Sequence, residues 1–303
     1  MDISGFQQEF ETGNKEKALE KLLELLDVLE EADTSRRAAQ IDKDGNVTLS
    51  SEIPAGKPAA EKSAEDGTGE SQPLYMSLNH VMEYYIFAYY FQPATEVRCT
   101  DIPYGEYYRT YGQLALSMQK YNGAKKAYER AIAWNPVDLD AYLGLAEVYK
   151  YQNQREKYLT VTKQAYRYCC TRATMARYYR NMAFYYLSGY EPETARACYQ
   201  YSNVYYHTEN ADSELKYISE AIQQETPQTD IRAIQKLFDE KQIEPGPDSQ
   251  TIGIVYKVGE ILLKDGDYKL AKDCYSIVYD ITQDAAAEKM LNELEAAISG
   301  LEE

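Results

Sequence analysis

The chain has 303 residues, 44% of them apolar, enough for one extended repeat domain or two ordinary domains with their own cores. Its net charge is −17, with 17 acids against 8 bases in residues 1–74, 11 against 15 in 75–207, and 21 against 9 in 208–303. Two histidines are too few for a histidine-rich metal site, the 5 cysteines form no Cys-x-x-Cys pair, and no apolar run reaches the roughly 18 residues of a membrane span.

The centre of the chain is therefore mildly basic between two acidic ends, and would suit an anionic partner better than either end. An odd cysteine count argues against a disulfide framework and for a reducing compartment, so a cytoplasmic location is expected. Met1 to Gly5 lacks a basic run followed by an apolar core, which does not read as a signal peptide. The 31 tyrosines stand out. A tyrosine ring packs while its hydroxyl stays satisfied at a surface, so a thin helical array can use many, and a few could line a groove.

In chain order, residues 1–32 read as a helical segment, with Ala18, Leu22, Leu25, Leu26 and Leu29 at helical spacing after Gly13-Asn14. Residues 33–73 lose periodicity and hold no aromatic. Such a stretch cannot bury enough apolar area to offset its ordering entropy, and is expected to be a flexible insertion. Within it Asp42, Asp44 and Asn46 alternate like calcium ligands, but Val47 and Ile53 stand where glycine and glutamate are required. A polar turn, or a short hairpin around Asp44-Gly45, fits better. Residues 74–91 are apolar nearly all round, which predicts a helix buried on more than one side, with His80 as a core histidine. Pro93 and Pro103 mark the connection that follows.

Residues 105–138 carry the clearest pattern. Counted from Gly105, aromatics fall at positions 4 (Tyr108), 7 (Tyr111) and 24 (Tyr128), small residues at 8 (Gly112), 11 (Ala115), 20 (Ala124) and 27 (Ala131), and proline at 32 (Pro136). Small residues let two antiparallel helices approach closely, and Pro136 ends the second helix. The stretch resembles a tetratricopeptide repeat, a helix–turn–helix unit of about 34 residues. Similar spacing recurs in 139–172 (Tyr142, Leu145, Ala146, Tyr149, Ala165), 176–209 (Tyr179, Met182, Ala183, Tyr186, Ala195, Tyr199) and 252–285 (Val255, Val258, Gly259, Leu262, Ala271, Tyr275). In the second copy Tyr158 replaces a small residue, so that hairpin should splay or its neighbours yield room. Gly13 to Leu26 resembles the second half of a further, divergent repeat.

The domain reading is thus an N-terminal helical segment (1–32), an insertion (33–73), a helix plus three repeats (74–209), and a C-terminal part (210–303). The last part holds a degenerate hairpin over 210–223 and 229–241, the fourth repeat, and an amphipathic acidic helix over 285–301 whose polar face would cap the array. The resemblance implies an all-α fold, a right-handed α-solenoid of stacked antiparallel helix pairs.

No Gly-x-Ser-x-Gly, phosphate-cradling loop or dinucleotide fingerprint occurs. Cys169, Cys170 and His207 are the residues a thiol nucleophile would draw on, but buried packing is the ordinary role of such cysteines. An enzyme is not the expectation, and neither cofactor nor metal is. The resemblance implies instead a non-enzymatic scaffold that holds a protein or peptide in a concave groove lined by the first helix of each repeat. By repeat register that groove takes Arg109 and Gln113, then Glu147, Lys150 and Tyr151, then Arg177, Arg180, Phe184 and Leu187, with Asn181 beside them. The family's carboxylate clamp is matched poorly: Arg109 and Gln113 stand at clamp lysine and asparagine positions, and Glu147 is adverse. Arg177, Arg180 and Asn181 suit a carboxylate or acidic side chain, since arginine forks fit that geometry. Two other classes stay open: a polyanion or RNA binder, suggested by interleaved Arg and Tyr in 150–180 but opposed by the net charge, and a regulatory module that holds a small molecule.

Overall fold

The computed structural model describes residues 4–33, 37–44, 46–50 and 73–299. The chain divides into two compact units, 1–157 and 158–303. The fold class is all-α, as expected, with two small two-stranded ribbons added in the N-terminal unit.

The N-terminal unit begins with a hairpin of α1 (Ser4–Glu11) and α2 (Lys15–Ala32). Ala18, Leu22 and Leu26 of α2 are fully buried, and α2 packs on α4 (Tyr104–Ser117). Between α2 and α4 come β1 (Ala39–Ile41) and β2 (Val47–Leu49), which pair antiparallel, then β3 (Leu74–Met76), α3 (Val81–Phe91) and β4 (Val97–Cys99). Next follow α5 (Tyr121–Trp134) and α6 (Leu139–Tyr151). The boundary between the units falls inside α7 (Arg155–Tyr166).

Three expectations for this region need correction. The stretch 33–73 is not uniformly unstructured: Ala38, Ala39 and Leu49 are buried, and β1 packs on α5. Arg37 pairs with Glu30 at 2.7 Å and lies 5.4 Å from the Trp134 ring centre, a cation–π contact that composition did not reveal. The β1–β2 turn is the polar one expected, with Asp42 accepting from the backbone of Asp44 and Asn46. Residues 34–36, 45 and 51–72 of that insertion lie outside the described residues. Second, Leu74 to Met76 are strand, not helix, because they pair in parallel with Val97 to Cys99. Third, α3 buries one face only, through Glu83, Ile86 and Phe87, while Tyr84 and Tyr89 are exposed. His80 is not a core residue. It sits extended at the start of α3, half exposed and 3.7 Å from Glu83.

The seam between α4, α5 and α6 rests on one ring. Tyr128 of α5 lies against Gly112 of α4 and Gly144 of α6. A Cβ on Gly112 would stand 2.9 Å from the ring, and one on Gly144 only 2.2 Å from it. Neither site admits a side chain while the ring holds its place, so the two glycines are what let Tyr128 become buried. Tyr104 stacks on Trp134 at 4.1 Å and 5°, and its hydroxyl donates to Asp33 at 2.6 Å, which fixes the end of α2 to the start of α4.

The C-terminal unit takes in the second half of α7, then α8 (Arg172–Ser188), α9 (Pro192–Tyr205), α10 (Glu209–Ile222), α11 (Ile231–Lys241), α12 (Ser249–Lys264), α13 (Tyr268–Thr282) and α14 (Ala285–Ser299). Helices α8 and α9 form one antiparallel pair and α12 and α13 another, while α10 and α11 each pack on α9. Helix α14 rests on α13 through Ala287 and Leu294 and turns most of its remaining surface to solvent. At the α12–α13 contact Tyr275 packs on Gly259, where a Cβ would lie 3.1 Å from the ring. Tyr158 is fully buried: its hydroxyl donates to the Asn181 carbonyl at 3.1 Å and its ring meets Phe184 edge-on at 5.3 Å.

One turn geometry recurs throughout. Gly13, Gln119, Asn153, Tyr190 and Gly266 all take positive φ, between 54° and 84°. In each case the following N–H (Asn14, Lys120, Gln154, Glu191, Asp267) bonds five residues back at 2.9 Å, while the left-handed residue bonds three back. These are Schellman turns, which close one helix and aim the chain into the next. Four of the left-handed residues fall at the fifteenth position counted from Gly105, Leu139, Ala176 and Ile252.

Candidate interaction surface

In the N-terminal unit Arg109 is held by internal partners. Its Nε lies 3.0 Å from Asp138, its Nη1 3.2 Å from Asp140, and its Nη2 donates to Asn79 at 2.6 Å. Asp138 caps α6 by accepting from the Ala141 N–H. Burial pushes the Asp138 carboxyl up to about 6, against the lowering effect of Arg109, with Glu83 adding a like-charge push upward. Glu83 is itself buried, and accepts from the Asn79 backbone and from Asn135 Nδ2, each at 2.7 Å. The result is a buried polar knot joining α3, α4 and the α5–α6 connection. The sequence reading missed it. Its available signal was Asp138 at the N-cap position after Asn135-Pro136.

The other groove residues of this unit are arranged differently. Gln113 is exposed. Glu147 and Lys150 form an ion pair at 3.6 Å. Tyr151 is 59% exposed and stacks on Tyr121 at 5.6 Å and 13°, a two-ring platform at the end of α6.

In the C-terminal unit Arg177, Arg180, Asn181 and Phe184 lie on one face of α8, spaced 3, 4 and 7 residues from Arg177. Arg177 and Arg180 are half-buried, and no acid pairs with either among the described residues. Burial lowers the affinity of Arg180 for its proton, and the neighbouring Arg177 charge adds to that. Arg180 also donates to the Tyr206 carbonyl at 3.4 Å, beside Arg172, which donates to the Tyr205 and Val204 carbonyls. These arginines cover the carbonyl end of α9, where positive charge is favoured. Asn181 is 6% exposed, and its Nδ2 has no hydrogen-bond partner among the described residues.

Burial pushes the Cys170 thiol up to about 11 and that of Cys274 to about 12, and Cys169 and Cys198 higher still, so all four are held as neutral thiols. His207 faces Asp212 at 2.8 Å on the exposed surface.

The tetratricopeptide repeat family model matches residues 105–138, the α4–α5 hairpin built around Tyr128. The chain carries a tetratricopeptide repeat. Among solved structures it is similar to the Cut9–Hcn1 hetero-tetramer of the APC/C, at 14% identity and a TM-score of 0.36, over 65% of this chain and 38% of the other. It therefore spans well under half of that protein. It is also similar to PilF of Pseudomonas aeruginosa, at 15% identity and a TM-score of 0.36, over 65% of this chain and 85% of that one. A third is YrrB, described as a TPR protein with an unusual peptide-binding site, at 14% identity and a TM-score of 0.33, over 62% and 91% of the two chains. No curated protein matches. These likenesses concern the fold. Among the described residues no helix is long and apolar enough to cross a membrane.

Proposed function

We propose that the chain is a non-enzymatic interaction scaffold, working in the reducing cytoplasm, and that its C-terminal unit receives an acidic protein or peptide segment on the Arg177–Phe184 face of α8. The observation that carries this reading is the pair of neighbouring, half-buried guanidiniums with no acid beside them, next to a buried Asn181 amide that lacks a partner. A buried donor without a partner costs free energy, and a carboxylate placed there would satisfy it while relieving the repulsion between the two cations. Phe184, half-buried and braced by Tyr158, offers the apolar contact beside the charges. The N-terminal groove positions support the reading less, because Arg109 is engaged internally.

The arginines would act mainly on association rate and orientation, and the aromatic contact on residence time. The test is fluorescence anisotropy with a labelled acidic peptide that contains one leucine, against the same peptide with glutamines for glutamates. The acidic peptide should bind more tightly. Arg177→Glu with Arg180→Glu should slow its association and flatten the salt dependence, and Phe184→Ala should weaken it about tenfold. Unchanged binding in both variants, with circular dichroism intact, would place the site elsewhere.

A further inference from the structure

A second concavity lies wholly within the C-terminal unit. It is an open cleft of about 750 Å³ between the last turns of α7, the first half of α8 and the connector that joins α11 to α12. Its base is aromatic: Tyr166 and Tyr178 meet at 5.1 Å with a 46° tilt. Lys163 on α7 and Arg167, the residue just past its end, form one rim, and Glu244 and Asp248 of the connector lie among the opposing residues. None of these residues belongs to the α8 face of the proposed scaffold site.

The connector is irregular backbone, yet it is pinned. Tyr179 donates to the Glu244 carbonyl at 2.8 Å, Tyr201 to that of Pro245, and Thr251 to the Arg167 carbonyl at 2.6 Å. Asp248 is also spoken for, as the N-cap that accepts from Gln250 and Thr251. Lys163 and Glu244 are both exposed, and neither is in an ion pair among the described residues. The cleft is thus preformed, with the exposed cation Lys163 on the α7 side of a tyrosine base and the exposed anion Glu244 on the connector side.

That distribution narrows the ligand. A polyanion would meet Glu244 and Asp248, and a polycation would meet Lys163 and Arg167, each at a cost in like-charge repulsion. An apolar metabolite would desolvate four charged groups with nothing to replace their water. A dipolar chain that crosses the tyrosines satisfies both rims. We propose that this cleft is a second binding site, which takes a short peptide segment bearing one acidic and one basic side chain, the acid to Lys163 and the base to Glu244, with its backbone over Tyr166.

The test titrates the full chain with four N-acetylated, C-amidated pentapeptides that share a neutral middle and carry Glu/Lys, Lys/Glu, Glu/Glu or Lys/Lys at the ends. Binding is followed through the Lys163 and Gly246 amides in 1H–15N spectra. One of the two mixed peptides should bind best. Lys163→Glu and Glu244→Lys should each weaken it about tenfold, and the double reversal should transfer preference to the peptide of opposite order. Arg177→Glu with Arg180→Glu should leave this binding unchanged, which separates failure here from failure of the α8 reading. Equal or better binding of Glu/Glu or Lys/Lys, indifference to the reversals, or no shift with any peptide would overturn the proposal.

Discussion

The seam around Tyr128 and the connector over residues 242–248 are both held in place, but by opposite means. At the seam, regular helices approach closely because glycines are absent side chains: Gly112 and Gly144 leave room for one ring. In the connector there is no helix to pack, and backbone carbonyls are the groups in need of partners. They find them in tyrosine hydroxyls from α8 and α9: Tyr179 donates to Glu244 and Tyr201 to Pro245, while Tyr186 donates at 3.4 Å to Lys241, the last residue of α11. A Gln200 amide does the same for Pro227 at 2.7 Å in the earlier linker. The same residue type serves shape in one place and hydrogen bonding in the other. This accounts for tyrosines in two distinct settings, where composition alone suggested packing or the lining of a groove.

The comparison breaks most sharply at Gly144. A Cβ 2.2 Å from a buried ring cannot be absorbed by a small rotation, so Gly144→Ala should cost about 3 kcal/mol in urea melts, the upper end of overpacking. Gly259→Ala, where the nearest ring atom would be 3.1 Å away, should cost closer to about 1 kcal/mol. Equal effects at the two glycines would mean that the Tyr128 ring yields, and that the seam is not set by shape.

The connector gives the complementary test. Tyr179→Phe and Tyr201→Phe keep the rings and remove the donors, so each should cost about 1 kcal/mol. The loss should be local, read as faster amide exchange over 242–248 with α12 and α13 protected as before. Loss of protection across the whole unit would instead show that the rings, not the hydroxyls, hold the connector.

What the sequence made legible follows from the same distinction. Spacing identifies Gly112, Tyr128, Gly259 and Tyr275, because a helix repeats its neighbours at fixed intervals and the choice of small and large residues records the contact. It does not identify a hydroxyl reaching a carbonyl 65 residues away, as Tyr179 does to Glu244. Nor does it show that Arg37 folds over Trp134, that Leu74 to Met76 pair with a strand beyond α3, or that Arg109 is taken up by Asp138 and Asp140. Arg177, Arg180 and Phe184 fall on one face of α8 by their spacing alone. The orphaned Asn181 amide became visible only with burial.

The smallest expected effect concerns the turns that make both regions possible. Each Schellman turn needs a left-handed residue, and those at Gly13, Gln119, Asn153, Tyr190 and Gly266 run from glycine to a bulky aromatic. Glycine reaches that conformation without steric cost, while a side chain there brings Cβ against the carbonyl. Tyr190, at φ 62° and 94% exposed, has no packing in the turn to offset the strain. Tyr190→Gly should therefore stabilise the protein, by a few tenths to about 1 kcal/mol once the extra freedom glycine gives the unfolded chain is subtracted. Tyr190→Val should do the reverse, since a β-branched residue tolerates positive φ least. A urea series over the two variants reads both signs. If the glycine variant is less stable than the parent, then the strain is not there to be relieved, and the α8–α9 turn differs in solution from the turns at Gly13 and Gly266.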